Sequence, residues 1–130
     1  MFGLKKKKKK RYTDTLNLVK KVGILVALLL CSNVFMNLAW YGHLKFKTSP
    51  IMVAIIASWG LAFFEYCFQV PANRIGSEAL TPTQLKIIQE VISLITFSVV
   101  AFFMFKEKPG TNQLIAFVLI IGAAYFGTKK

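Results

Sequence analysis

Four stretches of this chain stay apolar for about the length of a membrane crossing. None shows the polar face that a soluble helix or strand would need. Crossing a hydrocarbon core of about 30 Å takes about 20 apolar residues as a helix. Val22–Tyr41, Ile51–Val70 and Leu85–Phe105 meet that length, while Asn112–Gly127 is shorter and would need a thinned bilayer or little tilt. The runs are continuous and do not alternate, and backbone polar groups in lipid must be satisfied internally, so helices are expected and barrel strands are not. The pattern predicts an all-α fold, an integral membrane bundle of four transmembrane helices. Residues 1–21 form a basic N-terminal tail and residues 22–130 the transmembrane domain.

The punctuation between the runs agrees with this division. Ser49-Pro50 offers a cap followed by proline at the first helical position. Thr81-Pro82-Thr83-Gln84 repeats the arrangement with a capping-box glutamine. Pro109-Gly110 breaks the chain before the fourth run, and Thr111 is placed to cap the helix predicted there. The composition fits: 130 residues, 55% hydrophobic, leave no length for a separate soluble domain once four spans are assigned. Cys31 and Cys67 both fall inside spans and read as small buried hydrophobes, with neither a disulfide framework nor metal-ligand spacing. One histidine without clustered partners makes a metal site unexpected, and no cofactor is implied.

The net charge of +12 comes largely from Lys5, Lys6, Lys7, Lys8, Lys9, Lys10 and Arg11. A run of this kind can bind nucleic acid, can be a low-complexity extension, or can fix topology beside a span and touch anionic headgroups. The adjacent span favours the last reading, with membrane lipids as partners and no nucleic acid. If the N-terminus is inside, Arg74, Lys86, Lys129 and Lys130 lie on the same side, against Lys45, Lys47, Lys106 and Lys108 outside. The excess of basic residues then puts both termini in the cytoplasm of a cell with an inner membrane. The first run is too long for the apolar part of a signal peptide and has no A-x-A-like site after it, so it is expected to remain as a span.

Within the spans, Ser58, Ala62, Glu65 and Gln69 stand at spacings of four, three and four. This makes a small and polar stripe along one helix face. Such a stripe faces protein or a water-filled cavity, because ionisable groups avoid lipid. On the third span Gln89, Ser93 and Thr96 form a similar stripe, flanked by Glu90. Counted from the span ends, Glu65 and Glu90 lie at nearly the same depth, so the two carboxyls could share one site. A buried pair of carboxyls can hold a proton at neutral pH or attract a cation. Alternatively, Glu90 simply pairs with Lys86 one turn away. On the first span Asn33 and Asn37 share a face with Trp40 and Tyr41, which suits either interhelical hydrogen bonds or ligand contact. Asn73 and Arg74, just past Pro71, could line the inner mouth, or Arg74 could anchor the helix end to lipid phosphate. Ala123 and Gly127, with Gly122 beside them, allow close helix approach, either within the protomer or in a dimer, and a homodimer is the preferred reading.

Three segments, Asn37–Phe46 (NLAWYGHLKF), Ser58–Gly76 (SWGLAFFEYCFQVPANRIG) and Gln84–Ile92 (QLKIIQEVI), resemble the motifs of a small four-helix membrane family. That family is grouped within the drug/metabolite transporter superfamily. The resemblance extends from about the first span to Phe126 and excludes the lysine run. It implies four transmembrane helices, similar in architecture to the small multidrug resistance transporters, which act as dimers and exchange protons for cationic compounds at a membrane-embedded glutamate. In those transporters that glutamate lies on the first helix, whereas here the first span has asparagines and no acid. The mechanism therefore does not carry over residue for residue, and the family has no settled substrate. The expected function is transport of small molecules, with proton coupling at Glu65. The alternative is a non-transporting membrane accessory or scaffold protein. An enzyme is not expected, since no nucleophile–base set, phosphate loop or metal cluster is present.

Overall fold

The computed structural model describes residues 1–129; Lys130, expected among the inner basic residues, lies outside the described residues. The chain forms four α-helices, α1 (Phe2–Tyr41), α2 (Ile51–Gly76), α3 (Pro82–Phe105) and α4 (Thr111–Thr128), with a short 3₁₀ helix at Gly42–Phe46. Each of the four contains a window long and apolar enough to cross a membrane. The predicted all-α bundle is the observed architecture, with no strand among the described residues.

Two elements run further than the apolar pattern. The first helix continues N-terminally through the whole basic run, giving 40 residues, about 60 Å at 1.5 Å per residue. The second continues through Pro71 to Gly76. Proline offers no N–H to the carbonyl one turn back, yet the helix is carried past it because Ala72 and Gly76 bury against the rest of the bundle.

The helix starts are partly as expected. Thr81 and Gln84 form the full reciprocal cap of α3: the Gln84 N–H donates to Thr81 Oγ1 at 3.2 Å and the Thr81 N–H donates to Gln84 Oε1 at 3.1 Å. At α2 the capping position is Pro50, with extended backbone and no side-chain hydrogen bond, so Ser49 does not cap it. At α4 the cap is Gly110, whose N–H donates to Gln113 Oε1 at 2.6 Å, while Thr111 is already the first helical residue. Both expectations were one residue off, because proline and glycine each take the extended backbone that a cap needs.

The central element is α1. It packs along α2 and against α3, whereas α4 packs on α3 alone. Leu25, Leu29 and Ala72 make the buried apolar centre, with Leu28 and Ile92 against it. Phe35 stacks on Phe64 and Phe68, with ring centroids 5.7 Å away in each case. Gly76 sits where α1, α2 and α3 converge, and a Cβ there would run into Leu85 and touch Leu25. Most of the remaining apolar surface points outward, as expected for helices whose solvent is lipid. Cys31 and Cys67, expected to be buried, are both exposed: each neighbours the polar residue, Ser32 or Gln69 two positions on, that turns toward the helix partner.

Candidate functional site

The α2 stripe faces α1. Ser58, Ala62 and Gln69 are partly covered and Glu65 is buried at 7% exposure, while Phe63, Phe64 and Tyr66 point outward. Opposite Glu65 stands Ser32, fully buried on α1. Ser32 Oγ lies 3.1 Å from Glu65 Oε1 and 2.7 Å from Gln69 Oε1. One turn on, Gln69 Nε2 donates to Asn73 Oδ1 at 3.2 Å, and Gln89 Nε2 on α3 donates to the same oxygen. Five polar side chains from three helices thus form one connected chain, running from the membrane-embedded carboxyl toward the Ser77–Thr81 connection.

At its other end the stripe opens into a cleft of about 390 Å³ between α1 and α2, lined by Trp40, His43, Ser58, Trp59 and Ala62 among others. The two tryptophans are largely exposed. The α1–α2 interface therefore carries an aromatic cleft, a buried acid and an amide chain in sequence along the helix axes.

Along their helices Glu65 stands about 16 Å from the Gly76 end of α2 and Glu90 about 12 Å from the Pro82 end of α3. They do not share a site. Helix α2 turns Glu65 toward α1, whereas Glu90 is exposed and ion-paired with Lys86 at 2.5 Å, one turn back on its own helix. Glu90 lies instead beside Ile120 and Ala123 of α4, at the edge of a separate cleft of about 300 Å³ that also holds Asn37, Tyr41 and Ser93. The asparagines of α1 are interior: Asn33 is 2% and Asn37 3% exposed. Asn33 Nδ2 donates to the Leu29 carbonyl at 2.7 Å, while Asn33 Oδ1 and Asn37 Nδ2 have no hydrogen-bond partner among the described residues. Tyr41 packs on Phe97 at 4.9 Å. Thr96 is buried and donates to the Ile92 carbonyl.

Arg74 is exposed near the end of α2. Lys5, Lys6, Lys7, Lys8, Lys9, Lys10 and Arg11 are all exposed on the projecting part of α1. No group of three His, Cys, Asp or Glu side chains that could hold a metal ion occurs among the described residues.

Two features were not read from the sequence. Ser32 is the partner of Glu65; its only signal was a hydroxyl inside an apolar run, next to the more conspicuous Asn33. Lys21 donates to Glu78 Oε2 at 2.6 Å, tying α1 to the α2–α3 connection, and nothing local to either residue announces a pairing across 57 positions.

No curated protein and no solved structure matches the chain. A family model does, over residues 25–128, most of the chain but none of the lysine run. Superfamily membership points to a membrane transporter, and members of that superfamily are generally transporters rather than enzymes. With four membrane-length helices and this match, the chain belongs to the family described as "Putative member of DMT superfamily (DUF486)", and it is a multi-pass membrane protein.

Proposed function

We propose that the protein is an inner-membrane transporter that exchanges small organic cations or related metabolites for protons at Glu65. The observation that carries this reading is a buried carboxyl at membrane depth. Among the described residues its one hydrogen-bond partner is Ser32, and no cationic side chain pairs with it. An ionised carboxyl in an apolar interior is costly unless a positive charge accompanies it. A proton or a substrate cation can each supply that charge, but not both at once. Exchange arises from that competition.

Several features support the rest of the picture. The cleft at Trp40, His43 and Trp59 offers aromatic faces to a cation on its way to Glu65. Gln69, Asn73 and Gln89 line the route away from the acid, with Arg74 beside the exit. The protein acts as a homodimer, for α4 has no buried residue and keeps Gly122 and Ala123 open to a second copy. Both termini face the cytoplasm, which puts Lys5–Arg11 on the side of anionic headgroups.

The test is transport of a panel of labelled organic cations into proteoliposomes under an imposed proton gradient. Glu65→Gln removes the charge with little change in shape, and is expected to abolish gradient-driven uptake while protein abundance stays normal. Uptake retained in full by that variant would remove Glu65 as the exchange site. Absence of uptake by the wild type across the panel would favour an accessory role in the membrane.

A further inference from the structure

We propose that Ser32 is the positioning residue for the Glu65 proton, and that the amides of Gln69, Asn73 and Gln89 report the state of that proton from α2 to α3. This rests on the reading of Glu65 as the exchanging group.

Donors are in short supply along this chain. Ser32 Oγ is within hydrogen-bond distance of both Glu65 Oε1 and Gln69 Oε1, yet a hydroxyl has a single proton to give. With the amides oriented as they are, both contacts are hydrogen bonds only when Glu65 carries a proton. The carboxyl O–H then donates to Ser32 Oγ, and Ser32 donates to Gln69 Oε1. Gln69 Nε2 is left to donate to Asn73 Oδ1, which also accepts from Gln89 Nε2. Every member of the chain is satisfied.

Loss of the proton to water reverses the chain. Ser32 turns to donate to the carboxylate, and Gln69 Oε1 loses its donor. The Gln69 amide must turn over to offer Nε2 to Ser32 Oγ, so that its oxygen now faces Asn73. Asn73 in turn must offer Nδ2 in place of Oδ1, and Gln89 must present Oε1 in place of Nε2. No proton travels along the amides; only their direction changes. The chain has two complete polarities, chosen at Glu65 and read on another helix at Gln89. Gln69 and Gln89 are partly covered and Asn73 is exposed, but Asn73 Oδ1 is the single atom on which both of their amides converge, so a mismatch at Gln69 is passed through it to Gln89.

Nothing else within reach sets the choice. The titratable and charged groups on these helices are Lys5–Lys10, Arg11, Tyr12, Asp14, Lys20, Lys21, Cys31 and Tyr41 on α1, Tyr66, Cys67 and Arg74 on α2, and Lys86 and Glu90 on α3. None makes a hydrogen bond or ion pair with Glu65 among the described residues.

The coupling is measurable without transport. The carboxyl carbonyl stretch of protonated Glu65, identified by its absence in Glu65→Gln, is followed against pH by infrared spectroscopy of the purified protein. Asn73→Leu, two turns from Glu65, is expected to change the proton affinity of Glu65 by at least about fivefold, the lower end of coupling between linked sites. The same substitution in a Ser32→Ala background is expected to have no effect. In a Ser32→Thr background, which keeps the hydroxyl, the dependence on Asn73 returns. An unchanged midpoint in Asn73→Leu overturns the inference, and so does an equal shift with and without the Ser32 hydroxyl. Should the alanine variant fail to fold, Ser32→Thr retaining the Asn73 dependence supports the relay and Ser32→Thr losing it overturns it. Loss of transport in Glu65→Gln without this coupling would leave the transport reading standing and remove the relay alone.

Discussion

At the scale of single residues, two glutamates that the sequence places on adjacent spans differ in burial and in charge partner. Glu65 is buried against a neutral hydroxyl, while Glu90 is exposed and already has Lys86 as a counter-ion. An exposed helix pair of this kind is worth only about 0.3–0.5 kcal/mol. Glu90→Gln is accordingly expected to keep uptake within about twofold of wild type, since that loss corresponds to about a twofold change in an equilibrium. The measurement is initial uptake rate in proteoliposomes beside Glu65→Gln, and a loss as deep as that of Glu65→Gln would show that the Lys86 pair opens in use. Assignment of each acid to its helix was legible in the sequence because it needs only the bounds of the apolar runs. Which face each acid takes was not, since that depends on which helix becomes the neighbour. The α2 stripe announced itself through the four-three-four spacing of Ser58, Ala62, Glu65 and Gln69; its partner Ser32 stood alone in an apolar run, with no periodicity to mark it.

At the scale of elements, helix starts encoded within four residues were readable and contacts across elements were not. The Thr81–Gln84 cap is local, and it formed as the sequence indicated. The passage of α2 through Pro71 is decided by burial of Ala72 and Gly76, which no local pattern states. Gly76 is the tightest of these points, since any side chain there meets Leu85 and Leu25. Gly76→Val is therefore expected to destabilise the bundle by about 1–3 kcal/mol, the usual range for overpacking a filled site. Thermal unfolding in detergent, read by circular dichroism, checks this, and an unshifted midpoint would mean that α2 and α3 are free to part. Gly127 plays a related part between α4 and α3, where Ile87 fills the space a side chain would need. Of the two uses the sequence allows for this glycine, packing within the protomer is the one seen, while Gly122 stays open.

At the scale of the whole molecule, α1 is both the centre of the bundle and its longest projection. The Lys21–Glu78 ion pair marks the level at which α1 leaves the other helices. Along a straight helix Lys5–Lys10 stand about 16–24 Å beyond that level, further than the screening length of about 8 Å at physiological salt. Contact of the run with headgroups therefore requires α1 to lean or to bend. The family match begins at residue 25, so this projection is additional to the part shared with relatives. Within that shared part, the aromatic cleft, Glu65 and the amide chain succeed one another between α1 and α2, and the proposed transport depends on exchange at the acid. Proton release from the purified protein in weakly buffered detergent solution, recorded as organic cations are added and with Glu65→Gln alongside, measures that exchange. Release on cation binding that vanishes in the variant is the predicted result. Cation binding by the folded wild type without any proton release would contradict exchange at Glu65.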